Sequence, residues 1–222
     1  MSSAQPPRYG VYSPMVTFFN EDESVEYKSI TQHVERLLPS GVAGVVMHGS
    51  NGEAIHLLRE ELAQIICHCS IIAGCSASSV HETLLNITEA QEAGAGYALV
   101  LRPQIVGAKL TYGDLGKFQR LSASLPTTKF GPFARKADFL LPGLIVGSNG
   151  IVSALANLVP KLHIEAARLY KAGKLQGAQE IQWKLSYGSP RPREPLPQVE
   201  ISGIQGEALD ALQAMVDLEK QL

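Results

Sequence analysis

Several features that mark other classes of protein are scarce in this sequence. Only three of its 222 residues are cysteines, Cys67, Cys69 and Cys75, too few and too close together for a disulfide framework, so a reducing compartment is expected. Lys and Arg number 19 against 21 Asp and Glu, which leaves a net charge of −2 without a basic block and argues against nucleic acid as a partner. No run of about 18 uninterrupted apolar residues occurs, so no membrane span or membrane partner is expected.

Targeting and metal-binding patterns are scarce as well. Residues 1 to 9 have no apolar core typical of a secretory signal, and only Arg8 is basic before Lys28, a poor match to a mitochondrial transit peptide. We therefore expect a cytoplasmic location, with the mitochondrion left open. Cys67-His68-Cys69 lacks the ligand pairs of a structural zinc site, and no metalloprotease, Walker or dinucleotide motif occurs, so no metal is expected.

What is present is an alternation of short β-rich runs and amphipathic helical runs, which predicts an α/β protein with a parallel sheet. Aromatic residues make up only 6%, whereas 20 Gly and 13 Pro supply tight turns. The predicted strands are Val11 to Phe19, Val42 to Met47, Ile71 to Cys75, Tyr97 to Leu101, Ile105 to Leu110, Thr128 to Phe133, and a region with Leu144 to Val146 and Gly150 to Val152. The predicted helices are Glu23 to Leu38, a stripe from Leu58 to Cys69, one after the Ser79–Glu82 capping box, Leu115 to Leu121, a pair within Pro160 to Leu185 split at Gly173, and Glu207 to Leu222.

Two junctions do not fit this architecture. Only Ser70 separates the helix ending at Cys69 from the next strand, although helix-to-strand loops usually take about 2–6 residues. Only Arg102-Pro103-Gln104 separates the strand ending at Leu101 from the one beginning at Ile105, although neighbouring parallel strands need a crossover of a dozen or more residues. The sequence therefore predicts an α/β fold from which segments are missing.

Three clusters could carry chemistry. In His48-Gly49-Ser50-Asn51-Gly52-Glu53, directly after a strand, the backbone N–H groups and the Ser and Asn side chains could bind a small anion; the alternative is a plain turn that caps a helix. Lys109 lies near the end of an apolar strand, where desolvation would make its amine nucleophilic; the alternative is a lysine that points to solvent. Gly147-Ser148-Asn149-Gly150 is a second glycine-bracketed turn.

In this order the three clusters resemble the dihydrodipicolinate synthase/N-acetylneuraminate lyase family, class I aldolases with a TIM barrel that bind pyruvate as a Schiff base. Gly49 to Glu53 looks like the family motif Gly-Thr-Thr-Gly-Glu, which implies that Gly49, Ser50 and Asn51 hold the pyruvate carboxylate. Gly107-Ala108-Lys109 looks like the motif of the Schiff-base lysine. In the segment resembling the eighth strand, Val152 takes the position whose backbone lies beside pyruvate. The Ser-Asn pair is closest to the hydroxy-oxoglutarate and fungal deoxy-hexulosonate aldolase branches.

The sequence also departs from the family. The strand-five motif Tyr-Asn-x-Pro, whose tyrosine relays protons, is absent, because the fourth predicted strand runs almost directly into the one that resembles the sixth. Tyr112 follows Lys109 and is not its equivalent. The resemblance thus implies an incomplete (β/α)8 barrel that lacks strand five and neighbouring helices, roughly a quarter of a fold of about 250 residues. We expect this barrel over residues 1–186, followed over 187–222 by a Pro-rich linker and a C-terminal helix that packs on the barrel.

Three functions remain open at this point. The resemblance implies a class I aldolase that cleaves or forms a 4-hydroxy-2-oxo acid with pyruvate as one component, with Lys109 as the catalytic residue, no cofactor, impaired activity without the tyrosine, and a homo-oligomer as one assembly. The alternative is an inactive, truncated family member that acts as a non-catalytic binding or oligomerising protein or is unstable. A third interpretation is an open doubly wound sheet that binds an anion at Gly49 to Gly52.

Overall fold

The computed structural model describes residues 5–49, 52–53, 70–75, 80–99, 106–110, 113–188, 210 and 212–222. Within these residues seven strands form one sheet in the order β4-β3-β2-β1-β7-β6-β5, and every neighbouring pair is parallel. Strands β4 and β5 follow each other in the chain but lie at opposite edges of the sheet. The strands are β1 (Gly10–Pro14), β2 (Gly44–Met47), β3 (Ser70–Gly74), β4 (Tyr97–Leu99), β5 (Gly107–Leu110), β6 (Gly131–Arg135) and β7 (Gly150–Val152).

Helices alternate with these strands, as the periodicity predicts. In the described ranges, short 3₁₀ segments at Leu38–Ser40, Ala137–Phe139 and Ala154–Asn157 join helices and strands. The α-helices are α1 (Tyr27–Leu37), α2 (Val80–Glu92), α3 (Leu115–Ser124), α4 (Leu140–Ile145), α5 (Pro160–Lys171) and α6 (Leu175–Tyr187), and residues 212–219 are also helical. None of the described helices is long and apolar enough to cross a membrane.

The sheet has an inner face and an outer face because successive side chains of a strand point in opposite directions. On the outer face Ala134 and Ile151 belong to a core cluster shared with the helices. On the inner face side chains from five strands form a separate cluster and meet each other. Its strand members are Tyr12, Val46, Ile72, Phe133 and Val152, with Tyr97 packed against them.

The contact between strands that are far apart in the sheet shows that the sheet curls. Val46 and Ile72 lie on one side of β1, and Phe133 lies on the other, yet they belong to one inner cluster. An eight-stranded barrel closes by pairing each edge strand with a further strand. Here β4 and β5 are the two edges, and no described strand lies between them. The predicted incomplete barrel is confirmed, with the opening at the place where the sequence joins Leu101 to Ile105 through three residues.

One predicted strand is wrong. Leu144 to Val146 lies in and directly after α4 rather than in a strand, whereas Gly150–Val152 is strand β7. Leu140, Leu141 and Leu144 are all buried, a spacing that places them on one helical face. Periodicity does not separate a short apolar run in a strand from one in a buried helix.

The predicted break in the helical pair is confirmed, because Gly173 adopts a φ of +73° between α5 and α6.

The C-terminal helix, residues 212–219, packs against the main core. Met215 is only 2% exposed and belongs to the cluster on the outer face of the sheet. The carboxylate of Glu219 accepts hydrogen bonds from the backbone N–H groups of Lys161 (2.7 Å) and Leu162 (2.8 Å), the first turn of α5. These hydrogen bonds connect the C-terminal helix to the start of α5, the first α-helix after β7. The predicted linker beyond Gly188, the capping residue Ser79, the helical stripe up to Cys69 and the first residues of the last predicted helix lie outside the described residues.

Candidate active site

Lys109 is the third residue of β5 and lies on the inner face, in register with Phe133 of β6. It lines an open cavity that spans the interior of the curled sheet, from β4 at one edge to β5 at the other. The walls of this cavity are predominantly apolar. They comprise Pro7, Val46, Ile72, Tyr97, Ala98, Leu99, Val106, Gly107, Ala108, Phe133 and Val152 beside the lysine.

The electrostatic surroundings of Lys109 favour its neutral amine. Burial in the apolar cavity is the main cause that lowers the pKa of Lys109, and the positive charge of Arg135 adds to it. Among the described residues no carboxylate forms an ion pair with Lys109. A lysine with a lowered pKa has a larger fraction of unprotonated amine at neutral pH, which is the nucleophilic form.

Val152 shares this cavity with Lys109, although β6 lies between their two strands. It is the last residue of β7, 4% exposed, and stands in register with Tyr12 on one side and Arg135 on the other. The next residue, Ser153, is fully buried and lies 3.0 Å from Nε2 of His163. The carboxyl end of β7 is therefore held in place by a contact with α5.

A hydrogen-bonded chain fixes that contact. The pKa of the fully buried His163 is lowered to about 4 by desolvation, so its ring is neutral at pH 7. Nδ1 of His163 donates to the carbonyl of Val159 at 2.8 Å, which leaves Nε2 as an acceptor for the Ser153 hydroxyl. The backbone N–H of Ser153 donates to the carbonyl of Tyr12 at 3.1 Å. These bonds tie β7 to β1 and to α5 directly beside Val152.

Gly49 lies in the turn that follows β2, at the carboxyl edge of the sheet. The preceding His48 has a φ of +56°, and the N–H of Gly52 donates to the carbonyl of Gly49 at 3.0 Å. The hydroxyl of Thr17, beyond the end of β1, donates to the carbonyl of Gly52 at 2.6 Å. The turn is thus held at the end of the sheet where parallel strands place ligands, but Gly49 does not line the cavity. Ser50 and Asn51 lie outside the described residues.

The second glycine-bracketed turn lies away from the site. Gly147-Ser148-Asn149 precedes β7 and therefore lies at the amino edge of the sheet. Its polar groups bind backbone there: Ser148 Oγ donates to the carbonyl of Pro132 at 3.1 Å, and the N–H of Gly10 donates to the carbonyl of Asn149 at 3.0 Å. Only Val152, at the other end of this strand, contributes to the Lys109 cavity.

Several residues around Lys109 were not singled out from the sequence, namely Tyr12, Tyr97 and Phe133 of the inner cluster, and Arg135, whose charge acts on Lys109. Because side chains alternate between the two faces of a strand, the position of Arg135 two residues after Phe133 could have predicted that both lie on the inner face. The two tyrosine hydroxyls point to the amino edge, where Tyr12 Oη donates to the carbonyl of Arg8 (3.0 Å) and Tyr97 Oη to that of Pro6 (3.5 Å). Neither replaces a proton relay at the carboxyl edge.

Within the described part of the chain no three His, Cys, Asp or Glu side chains come together as metal ligands. Cys75 is a buried free thiol whose pKa is raised to about 11 by desolvation. It therefore behaves as a core residue rather than as a thiolate ligand. Cys67, His68 and Cys69 lie outside the described residues.

Comparison with known proteins identifies relatives of this chain. The profile of the Dihydrodipicolinate synthetase family matches residues 8–103 and again residues 95–187, so the two matches meet at the short connection between β4 and β5. A protein of Coccidioides immitis that carries the name of a mitochondrial 4-hydroxy-2-oxoglutarate aldolase is 32% identical, over 80% of this chain and 77% of its own length. An L-threo-3-deoxy-hexylosonate aldolase of Aspergillus niger is 28% identical, over 82% and 81% of the two chains.

Solved structures agree with the fold. The crystal structure of a dihydrodipicolinate synthase family protein from Coccidioides immitis superposes with a TM-score of 0.85 at 28% identity, covering 98% of each chain. The alignment to the 4-hydroxy-2-oxoglutarate aldolase relative spans 241 positions, but 80% of 222 residues is only about 178. About 60 of its positions therefore fall opposite gaps in this chain, which agrees with segments lost from inside a barrel.

Proposed function

Because the chain belongs to the Dihydrodipicolinate synthetase family, we propose that it is a class I aldolase in which Lys109 forms a Schiff base with pyruvate or with a 2-oxo acid that releases pyruvate. The observation that carries this proposal is the position of Lys109, in an apolar cavity that lowers its pKa and that Val152 also lines. A lysine that merely pointed to solvent would not have this environment.

The chemistry of such a site follows from the amine. The neutral Nζ of Lys109 attacks the keto carbon of a 4-hydroxy-2-oxo acid, and uptake of a proton from solvent with loss of water gives a protonated imine. The bond between the third and fourth carbons breaks, its electron pair moves into the imine to give an enamine, and the 4-hydroxyl loses its proton as the aldehyde leaves. The enamine then takes up a proton, and water releases pyruvate and the free lysine. The imine is the electron sink, so this mechanism requires no metal or organic cofactor.

The remaining binding roles follow the family motifs. We assign the pyruvate carboxylate to Gly49, Ser50 and Asn51, and the backbone of Val152 to the side of the bound pyruvate. The names of the fungal relatives favour a 4-hydroxy-2-oxo acid over other aldols. The cytoplasmic location stays a prediction, and the two relatives named as mitochondrial make the mitochondrion the compartment to compare with it.

The missing strand sets the expected rate. Without the strand-five tyrosine, proton transfer falls to water or substrate, and loss of one general acid–base group commonly costs about 10²–10⁴-fold. We therefore propose a slow aldolase, with Schiff-base formation retained. The second candidate is a non-catalytic family member, which the open edge between β4 and β5 and the exposed Leu84 and Leu85 of α2 favour.

Reductive trapping separates these candidates. The purified chain is incubated with pyruvate and borohydride, and the adduct is measured by intact mass and located by peptide mapping. A single adduct on Lys109 that is absent from Lys109→Ala supports the aldolase. Lys117, which is exposed and paired with Asp114, is the matched control, and Lys117→Ala should trap like the parent chain. A folded chain that forms no adduct contradicts the aldolase and supports the non-catalytic candidate.

A further inference from the structure

Arg135 places a second positive charge at the carboxyl edge of the sheet, near Lys109. It is the last residue of β6, and alternation along that strand puts it on the inner face together with Phe133, while Ala134 packs into the outer cluster. Its register partner is Val152, also an inner residue. Two neighbouring strands thus bring Arg135 to the carboxyl edge, directly above the ring that lies beside Lys109.

The two cations are close enough to act on one ligand. Lys109 is in register with Phe133, and Arg135 lies two residues further along the same strand. With strands about 4.8 Å apart and a rise of about 3.3 Å per residue, the two Cα atoms are roughly 8 Å apart. Arg135 is near enough for its positive charge to add to the lowering of the pKa of Lys109, which burial mainly causes.

Arg135 differs in its partners from three of the described arginines. Arg8 donates to the carbonyl of Ala43, Arg36 to the carbonyl of Asn157, and Arg168 forms a two-pronged pair with Glu165 at 2.6 Å. No described residue accepts a hydrogen bond from Arg135, and none of the ion pairs includes it. A planar guanidinium with free donors at the carboxyl edge of the sheet, near Lys109, is suited to a carboxylate.

We propose that Arg135 selects the substrate by pairing with a carboxylate on the half of the 2-oxo acid that leaves as the aldehyde. This inference rests on the proposed function of Lys109. In a five-carbon 2-oxo dicarboxylate the distal carboxylate lies three bonds from the carbon that Lys109 attacks, a separation that the long arginine side chain spans from its position above Phe133. An acid that ends in a methyl or hydroxymethyl group leaves the guanidinium without a partner.

The test compares two substrates that differ only at this end. Cleavage of 4-hydroxy-2-oxoglutarate and of 4-hydroxy-2-oxopentanoate is measured with the parent chain, Arg135→Gln and Lys136→Gln. Arg135→Gln should lower kcat/KM for the dicarboxylate by about 10- to 100-fold, the usual loss of a hydrogen bond to a charged group, and should change that for the pentanoate by less than about threefold. Arg135→Lys keeps the charge but loses the two-pronged geometry, so it should recover part of the loss.

Lys136→Gln is the matched control because it removes the same charge from the next residue, which is exposed and follows the strand. It should leave the preference between the two substrates unchanged. If Arg135→Gln lowers the activity on both substrates equally, or on neither, Arg135 does not select the substrate.

A binding measurement keeps this inference separate from the aldolase proposal. Calorimetry with 2-oxoglutarate and with 2-oxopentanoate is run on the parent chain, Lys109→Ala and Arg135→Gln. If pyruvate is never trapped but 2-oxoglutarate binds with a dependence on Arg135, the aldolase proposal fails and the carboxylate site stands. If pyruvate is trapped on Lys109 and Arg135→Gln leaves the preference for the dicarboxylate intact, the carboxylate site fails and the aldolase stands.

Discussion

Lys109 and Phe133 are register partners on neighbouring strands, so the amine of the proposed nucleophile rises beside an aromatic ring that is only 4% exposed. The ring itself is held by an edge-to-face contact with Tyr12, with centroids 5.4 Å apart and planes at 88°. Phe133 therefore excludes water from one side of the Lys109 amine, and this desolvation is the main cause of the lowered pKa of Lys109.

We expect Phe133→Leu to raise the pKa of Lys109 toward that of an ordinary lysine. The neutral amine reacts, so its fraction rises with pH through the pKa, and a higher pKa moves the inflection of the trapping rate to higher pH. At neutral pH the variant should trap pyruvate more slowly. The measurement is the rate of borohydride trapping as a function of pH. Phe118→Leu removes an equally buried ring from the outer cluster and should leave the inflection where it is; equal inflections in all three proteins would count against the role of Phe133.

Acid should destabilise the protein through His163. The pKa of His163 is about 4 in the folded protein against 6.5 for the free side chain, so the unfolded chain binds the extra proton. The stability that neutral His163 provides is complete above pH 6.5 and is lost as the pH falls toward 4, by about 3 kcal/mol in total. Thermal melts between pH 7 and 4 check this.

The control for that experiment is a second histidine. His163→Phe removes the titration and should flatten the fall in Tm, although the variant is less stable at pH 7. His81→Gln changes an exposed histidine on α2 and should reproduce the pH dependence of the parent chain. A parallel fall in Tm for His163→Phe and the parent chain would show that other groups cause the acid sensitivity.

Removal of the Glu219 carboxylate should loosen the start of α5. Glu219 accepts from two N–H groups that have no partner within the helix, so Glu219→Ala should lower the free energy of unfolding by about 1–2 kcal/mol, as loss of a helix cap does. Asp217→Ala, on the same helix, breaks two exposed contacts, a 3.3 Å pair with Lys220 and a 2.9 Å hydrogen bond from Gln213, and caps no helix, so it should cost less than about 0.5 kcal/mol. Urea denaturation of the two variants compares them, and equal losses would refute the capping role.

The exposed leucines of α2 should promote self-association. Leu84 is 47% exposed and Leu85 is 40% exposed, on the helix that packs against the edge strand β4. Replacing both with Gln should reduce the aggregated fraction in sedimentation without lowering Tm. Leu175→Gln changes a leucine on α6 that is 51% exposed, away from the open edge, and should have less effect. If the Leu175 variant improves solubility as much as the α2 double variant, the open edge is not the source of aggregation.

The sequence predicted the architecture best where local pattern and burial agree. The apolar run around Val45 marks β2 because its residues are covered on both faces, and Gly173 marks a break that only a left-handed turn allows. The three-residue connection after Leu101 predicted the open sheet, because parallel strands do not pair across so short a link. Leu144 was misassigned to a strand because an apolar run of a few residues has no period long enough to separate the two structures.

The site was less accessible to sequence reasoning. Lys109 and Val152 stood out through motif resemblance, and the structure places both in one cavity. Arg135 did not stand out, since a charged residue at the end of a strand is ordinary until the register brings it above Phe133. The turn at Asn149 resembled a ligand loop, but the direction of β7 puts it at the opposite edge. Register and strand direction are long-range properties, which a local pattern does not contain.

The open sheet also decides the order in which the molecule comes apart. In a closed barrel every strand is held by two neighbours, whereas among the described strands β4 and β5 are each paired on one side and β1 lies in the middle. Amide protons should exchange with solvent fastest at those two ends and slowest at β1, with the sheet unzipping inward. Lys109 is carried by one of the two ends. Its reactivity is therefore coupled to fraying, and each opening of β5 hydrates the amine and turns the nucleophile back into an ordinary ammonium group.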